Sequence, residues 1–252
     1  MEIRKGVRFR KPPLVEALCE FHFQETGTPS NIILGRLYEK IEIDFPTVET
    51  HRGIGVQAEE EEAISPAIVM EETTRFISRD GTQLIQVGPG LLAANQLKQY
   101  EDYRSFRVFI KETMDTYYEV AKPAGLRYIG LRYINRLEMT PDQSLEDVLH
   151  IGFNIPEEFQ SFPDPYHLQM EFAHHDGRDN LIIILATAPP QEDSSKAVML
   201  DFEYILVRPD EIGDRLLEWM DEAHGKIEDA FHACLTEDVL NGFGPLEDSG
   251  GS

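Results

Sequence analysis

The chain has 252 residues, 41% hydrophobic and 10% aromatic, with 46 acidic against 23 basic side chains and a formal net charge of −23. That composition supplies a sizeable core and argues against disorder, while the charge repels nucleic acid at long range and disfavours non-specific DNA or RNA binding. No apolar stretch is long enough for a membrane helix, no secretory leader follows the basic start, and two distant cysteines, Cys19 and Cys234, suit a reduced cytoplasmic protein.

Pro12-Pro13 forces an extended start to Leu14–Gln24, an alternating strand. Val15, Ala17, Cys19, Phe21 and Phe23 lie on one face, and Glu16, Leu18, Glu20 and His22 on the other. Thr28-Pro29-Ser30 then opens a helix with Ile33, Leu34, Leu37, Tyr38 and Ile41 at helical spacing, closed by Pro46. Strands are expected near 47–57, 67–78 and 82–87, the last two joined by a hairpin at Arg79-Asp80-Gly81. The acidic run Glu59–Glu62 reads as a solvated loop. After Gly88-Pro89-Gly90 a long helix is expected from about Gln96 to Lys122, with a stripe of Leu97, Tyr100, Tyr103, Phe106, Ile110, Met114, Tyr117 and Ala121.

The second half follows the same order. A long strand, Leu126–Met139, leads through a Thr140-Pro141-Asp142 turn to a short helix around Ser144–His150. Strands at 166–174, 180–188 and 197–207 follow, with a hairpin at His175-Asp176-Gly177. Pro209 opens a second long helix, whose core stripe includes Ile212, Leu216, Trp219, Ala223, Ile227, Ala230, Phe231 and Cys234. Strand, helix, three strands and long helix thus occur twice. The expected fold is α+β: two pseudo-equivalent halves, 1–123 and 124–245, packed as one unit with curved antiparallel sheets on two long helices, and a flexible tail at 246–252.

Three segments carry a family resemblance: Lys11-Pro-Pro-Leu-Val-Glu16-Ala-Leu-Cys-Glu-Phe21, Asn95 through Tyr100, Tyr103 and Phe106, and above all Gly130-Leu-Arg132-Tyr-Ile-Asn135-Arg136. The chain resembles, over nearly its whole length, a large, sporadically distributed and uncharacterised family of bacterial proteins. Those proteins open with a proline, two residues and a glutamate in the first strand. The resemblance implies a stand-alone cytosolic bacterial protein with no established activity, from a mobile or defence-related gene neighbourhood.

Charge marks the place for a site. Residues 75–136 hold ten Lys/Arg against six Asp/Glu, a local balance of +4 in an acidic chain. Arg132 and Arg136 share one strand face with Tyr128 and Ile134, and guanidinium forks beside an aromatic ring suit a planar anionic ligand. Arg104 and Arg107 of the preceding helix are candidate helpers. Internal pairing competes with this: Glu16 and Glu20 share a face of the first strand and could neutralise the same arginines. Asn135 falls on the apolar face and needs a hydrogen-bond partner there.

Other constellations are weaker. Gly88-Pro89-Gly90 lacks the lysine and spacing of phosphate loops, and Pro89 removes a donor, so a turn is favoured. His174-His175-Asp176 looks like a metal cluster on paper, but adjacent strand histidines point apart, and no cofactor or metal is implied. Glu16, Glu20 and His22 could serve acid–base chemistry, although a half-exposed polar strand face produces the same spacing. No catalytic motif appears. The leading expectation is a non-enzymatic binding or regulatory protein that recognises a protein partner or a small anionic ligand, with homo-oligomerisation left open. The alternatives are an enzyme acting on a phosphorylated or nucleotide-like small molecule, and an acidic nucleic-acid mimic.

Overall fold

The computed structural model describes residues 8–24, 30–57, 67–97, 100–140, 142–152, 156, 158, 165–189 and 196–246, with backbone alone for 52–57 and 67–71. The Thr28-Pro29 helix start, the Glu59–Glu62 run, Pro141 and the tail from Glu247 lie outside the described residues. The fold is α+β, with antiparallel strand pairing and two long helices. Its two compact units are 18–129, and 1–17 together with 130–252. The division runs through two strands, β1 (Leu14–Phe23) and β6 (Leu126–Met139).

In the 18–129 unit, α1 (Ser30–Ile41) is followed by β2 (Thr47–Gln57), β3 (Ala67–Ile77), β4 (Gln83–Gly88), β5 (Leu91–Gln96) and α2 (Tyr103–Ala121). The strand order is β2-β3-β4-β5-β1. Helix α1 buries Ile33, Leu37 and Ile41, three of the five residues its spacing set out. Helix α2 buries Phe106, Phe109, Ile110, Thr113, Tyr117, Val120 and Ala121. Stacked rings fasten the core: Phe23 on Tyr117 with centroids 5.1 Å apart, Phe45 on Phe109 at 5.9 Å, and Tyr38 on Phe76 at 6.0 Å.

One expectation fails here. The long helix does not start near Gln96, because Leu91–Gln96 is a strand paired antiparallel with β4, from Gly88↔Leu91 to Gln83↔Gln96. Gly88-Pro89-Gly90 is therefore a hairpin turn, with Gly90 at φ +66°, and no helix follows it directly. Helix α2 begins seven residues later than expected, where Asp102 caps it by accepting from the Ser105 amide at 2.8 Å. Among the described residues, four strands, β2 to β5, thus lie between α1 and α2. Lys122 at φ +47° closes α2 before Pro123, as the proline requires.

In the other unit, β6 is followed by α3 (Leu145–Val148), β7 (His167–His174), β8 (Asp179–Ala188), β9 (Lys196–Leu206), α4 (Leu216–Cys234) and α5 (Glu237–Gly242). The strand order is β6-β9-β8-β7. Pro209 opens only a single 3₁₀ turn, Pro209–Glu211; Gly213 at φ +54° interrupts the helical path, and α4 starts at Leu216. Short α5 was not foreseen. Trp219, Met220, Ala223, Ile227, Ala230 and Cys234 of α4 are buried, and Trp219 packs on Tyr204 with centroids 6.1 Å apart.

Candidate functional site

The Gly130–Arg136 segment lies in β6, beside β9. Arg132 forks onto Asp201 of β9: Nε donates to both carboxylate oxygens at 3.0 Å, and Nη2 donates to Oδ2 at 2.5 Å. Asp201 is buried, whereas 32% of the Arg132 side chain remains exposed. The buried Asn135 amide donates to the Leu200 carbonyl at 3.1 Å, the kind of partner its position demands. Gly130 is the third fastening. A Cβ there would stand 2.7 Å from Glu203 Oε1, so the missing side chain makes room for that carboxylate. The segment's distinctive residues thus join strand to strand.

The other predicted site residues are distributed as follows. Arg136 donates through Nε to Glu138 at 2.5 Å and through Nη2 to the Pro189 carbonyl at 2.8 Å. Tyr128 belongs to the 18–129 unit, where its ring stacks on His22 with centroids 3.9 Å apart. His22 Nε2 lies 3.5 Å from Glu20 Oε2. Arg104 and Arg107 are in the first turns of α2, Arg104 exposed and Arg107 half-buried. Glu16 is half-buried in the part of β1 that belongs with Arg132 and Arg136. The five proposed ligand residues therefore fall in two units: Arg132 and Arg136 in one, Tyr128, Arg104 and Arg107 in the other.

A second constellation surrounds the tip of the β7–β8 hairpin. Its turn residues His175, Asp176 and Gly177 have φ of +48°, +54° and +78°, a run that is strained for the first two. Arg208 holds the turn by donating to the Asp176 carbonyl at 2.7 Å. Just beyond it, fully buried Asp179 accepts from Arg178 Nε at 3.0 Å and Nη2 at 2.5 Å, from Trp219 Nε1 at 3.1 Å and from the Tyr204 hydroxyl at 3.5 Å. The Tyr204 hydroxyl also lies 3.2 Å from His174 Nδ1, and His175 Nε2 lies 2.6 Å from Glu222 of α4.

The chemistry of this cluster is closed. Burial, then the nearby Asp179 carboxylate, push the Tyr204 phenol well above its usual range, so it keeps its proton. The hydrogen bond to Asp179 raises the Arg178 guanidinium further. A carboxylate with donors from Arg178, from β9 and from α4 is poorly suited to act as a general base. The two histidines engage different partners, and among the described residues no group of three His, Cys, Asp or Glu is placed to hold a metal ion. Sequence reasoning singled out His174, His175 and Asp176 but missed Asp179, Tyr204, Trp219 and Glu222. The available signal was an aspartate heading the apolar strand Leu181–Leu185, where an unpaired charge would be costly.

Burial also displaces the titration of three further groups, Cys19, Cys234 and His224. Burial pushes the Cys19 thiol far up and the Cys234 thiol up to about 11, so neither is a ready thiolate. Burial lowers His224 to about 4; its Nδ1 lies 3.1 Å from the Tyr133 hydroxyl.

No family model and no curated protein matches the chain. Among solved structures it is similar to the di-domain ARO/CYC StfQ from the steffimycin biosynthetic pathway, at 7% identity and a TM-score of 0.22, over 85% of this chain and 96% of that one. A likeness that slight carries no functional argument.

Proposed function

We propose that this protein is a non-enzymatic binding or regulatory component that recognises a protein partner. The observation that carries the reading is the Arg132–Asp201 fork: the most prominent guanidinium of the sequence is engaged by a buried carboxylate of the same fold. The same logic extends to Asp179, Tyr204 and the two cysteines, whose reactivity is taken up by burial and hydrogen bonding. Groups that catalysis would need at a surface are committed to packing. The resemblance to the sporadically distributed bacterial family points the same way, towards an accessory, defence-associated role in the cytosol.

A small anionic ligand is the second reading, favoured by the 32% of the Arg132 side chain that stays in solvent. Thermal shift and native mass spectrometry with inorganic phosphate and nucleotide monophosphates separate the two. The partner reading predicts no saturable stabilisation. Saturable stabilisation lost in Arg132→Lys would transfer the assignment to an anion site, and turnover of a nucleotide would transfer it to an enzyme.

A further inference from the structure

We infer that β7 is a dimerisation edge, pairing antiparallel with β7 of a second copy of this chain about a two-fold axis at Met170. The inference stands independently of the partner reading above. Strand β7 ends the β6-β9-β8-β7 order. The Thr187 amide donates to the Tyr166 carbonyl at 3.0 Å, and the register runs unbroken from His167↔Ala186 to His174↔Asp179. That alternation turns the backbone groups of Leu168, Met170, Phe172 and His174 towards β8. Those of His167, Gln169, Glu171 and Ala173 point away from β8, to an edge that pairs with no strand among the described residues, and all four residues are exposed.

Natural edges are guarded by charged side chains, above all lysine, or by proline, a bulge, short length or a covering segment, and among the described residues β7 has of these the carboxylate of Glu171 alone. β7 has eight residues, HLQMEFAH, in regular register, with no lysine, arginine or proline. Phe172 on this strand is 46% exposed.

The side chains favour a second copy as the occupant. Self-pairing about Met170 sets Gln169 opposite Glu171 and His167 opposite Ala173, so that about eight backbone hydrogen bonds form between outward-pointing groups. Gln169 and Glu171 are complementary: within one strand the Gln169 amide already donates to the Glu171 carboxylate at 2.8 Å. On the other face Leu168 meets Phe172, and Met170 meets itself. Centring the axis on Glu171 would oppose two carboxylates, and centring it on Gln169 would leave Ala173 without a β7 partner. Charge and length both select Met170. Each copy carries −23, so association is opposed at low salt and strengthened when salt screens that repulsion. A single strand pair buries less than a standard interface, which makes the dimer weak and reversible.

Sedimentation velocity of the full chain tests this, over a concentration series at low salt and at about 0.5 M salt, where the Debye length shrinks to a few ångströms. The expected result is a monomer–dimer equilibrium that tightens with salt. Gln169→Lys, which sets lysine opposite Glu171, should strengthen the dimer by roughly tenfold, and Gln169→Glu should weaken it by a similar factor. Position 169 is exposed, and far-UV circular dichroism verifies that both variants keep the fold. A chain that stays monomeric at every concentration and salt, in the wild type and Gln169→Lys alike, would overturn the inference. So would a dimer insensitive to both changes, or one that Gln169→Lys weakens, since that places lysine against lysine and moves the axis.

Discussion

Asp179 and Asp201 are buried carboxylates of the same unit, each bound by an arginine, yet the fold uses them differently. Asp179 lies on the sheet face that meets α4 and draws donors from its neighbour Arg178, from Tyr204 of β9 and from Trp219 of α4. Asp201 lies on the opposite face of its strand pair, opposite Ile184, and is held by the fork of Arg132 from β6. A carboxylate that ties sheet to helix needs donors converging from several elements, because the helix side excludes water. One that ties strand to strand is held by the Arg132 fork, with 32% of that side chain exposed. The first fixes packing and the second fixes register.

The largest effect should come from the better-served carboxylate. Asp179→Ala leaves the buried Trp219 indole N–H unpaired and takes from Arg178 its nearer carboxylate, with Glu222 still 3.7 Å away, and should cost about 3–4 kcal/mol in chemical denaturation. A loss below about 1 kcal/mol would make Asp179 no more important than a surface charge and erase the contrast with Asp201.

His224 sharpens the comparison, because it is a half-buried ionisable group whose main influence is desolvation and not a charged partner. Its value in the folded protein is lowered to about 4. The unfolded chain binds that proton near pH 6.5, so folding stability falls as pH drops from about 6.5 towards 4. The contribution is about 2–3 kcal/mol, and His224→Gln should flatten this part of the stability–pH curve relative to wild type. An unchanged slope would mean that the imidazole is solvated.

The smallest effect is expected at Gly130. Alanine there meets only the far end of the Glu203 side chain, at 2.7 Å, so a modest carboxylate shift should limit the loss to about 1 kcal/mol or less. A much larger loss would show that Glu203 is held as firmly as Asp179.

Much of the fold was legible because alternation and turn residues agreed: β2, β6, β8 and both Asp-Gly hairpins fall where the pattern placed them. Strand β5 was hidden by its composition. Leu91-Leu-Ala-Ala-Asn-Gln96 favours helix locally, and five of its six residues are buried, so no alternation appears. Pairing with β4 overrides that preference. The start of α2 was readable in the Asp102–Ser105 cap, and it was missed because the aromatic stripe extends smoothly back to Leu97. For the site, the arginine strand face could be read from two-residue spacing, and so could the buried position of Asn135. The partners of Arg132 and Trp219 could not: Asp201 is 69 residues from Arg132, and Asp179 is 40 from Trp219. Strand order brings the first pair together, and the packing of α4 on its sheet brings the second.

The central claim is that Arg132 is committed to the fold through Asp201. A double-mutant cycle of Arg132→Gln and Asp201→Asn, read by denaturation of the full chain, tests it most directly. The account predicts that each single change costs about 2–3 kcal/mol, and that the double variant loses less than the sum by about 1–2 kcal/mol, since removing both partners leaves no stranded charge. Additive losses, or an Arg132→Gln variant as stable as wild type, would contradict it and return that guanidinium to the role of a ligand-binding group.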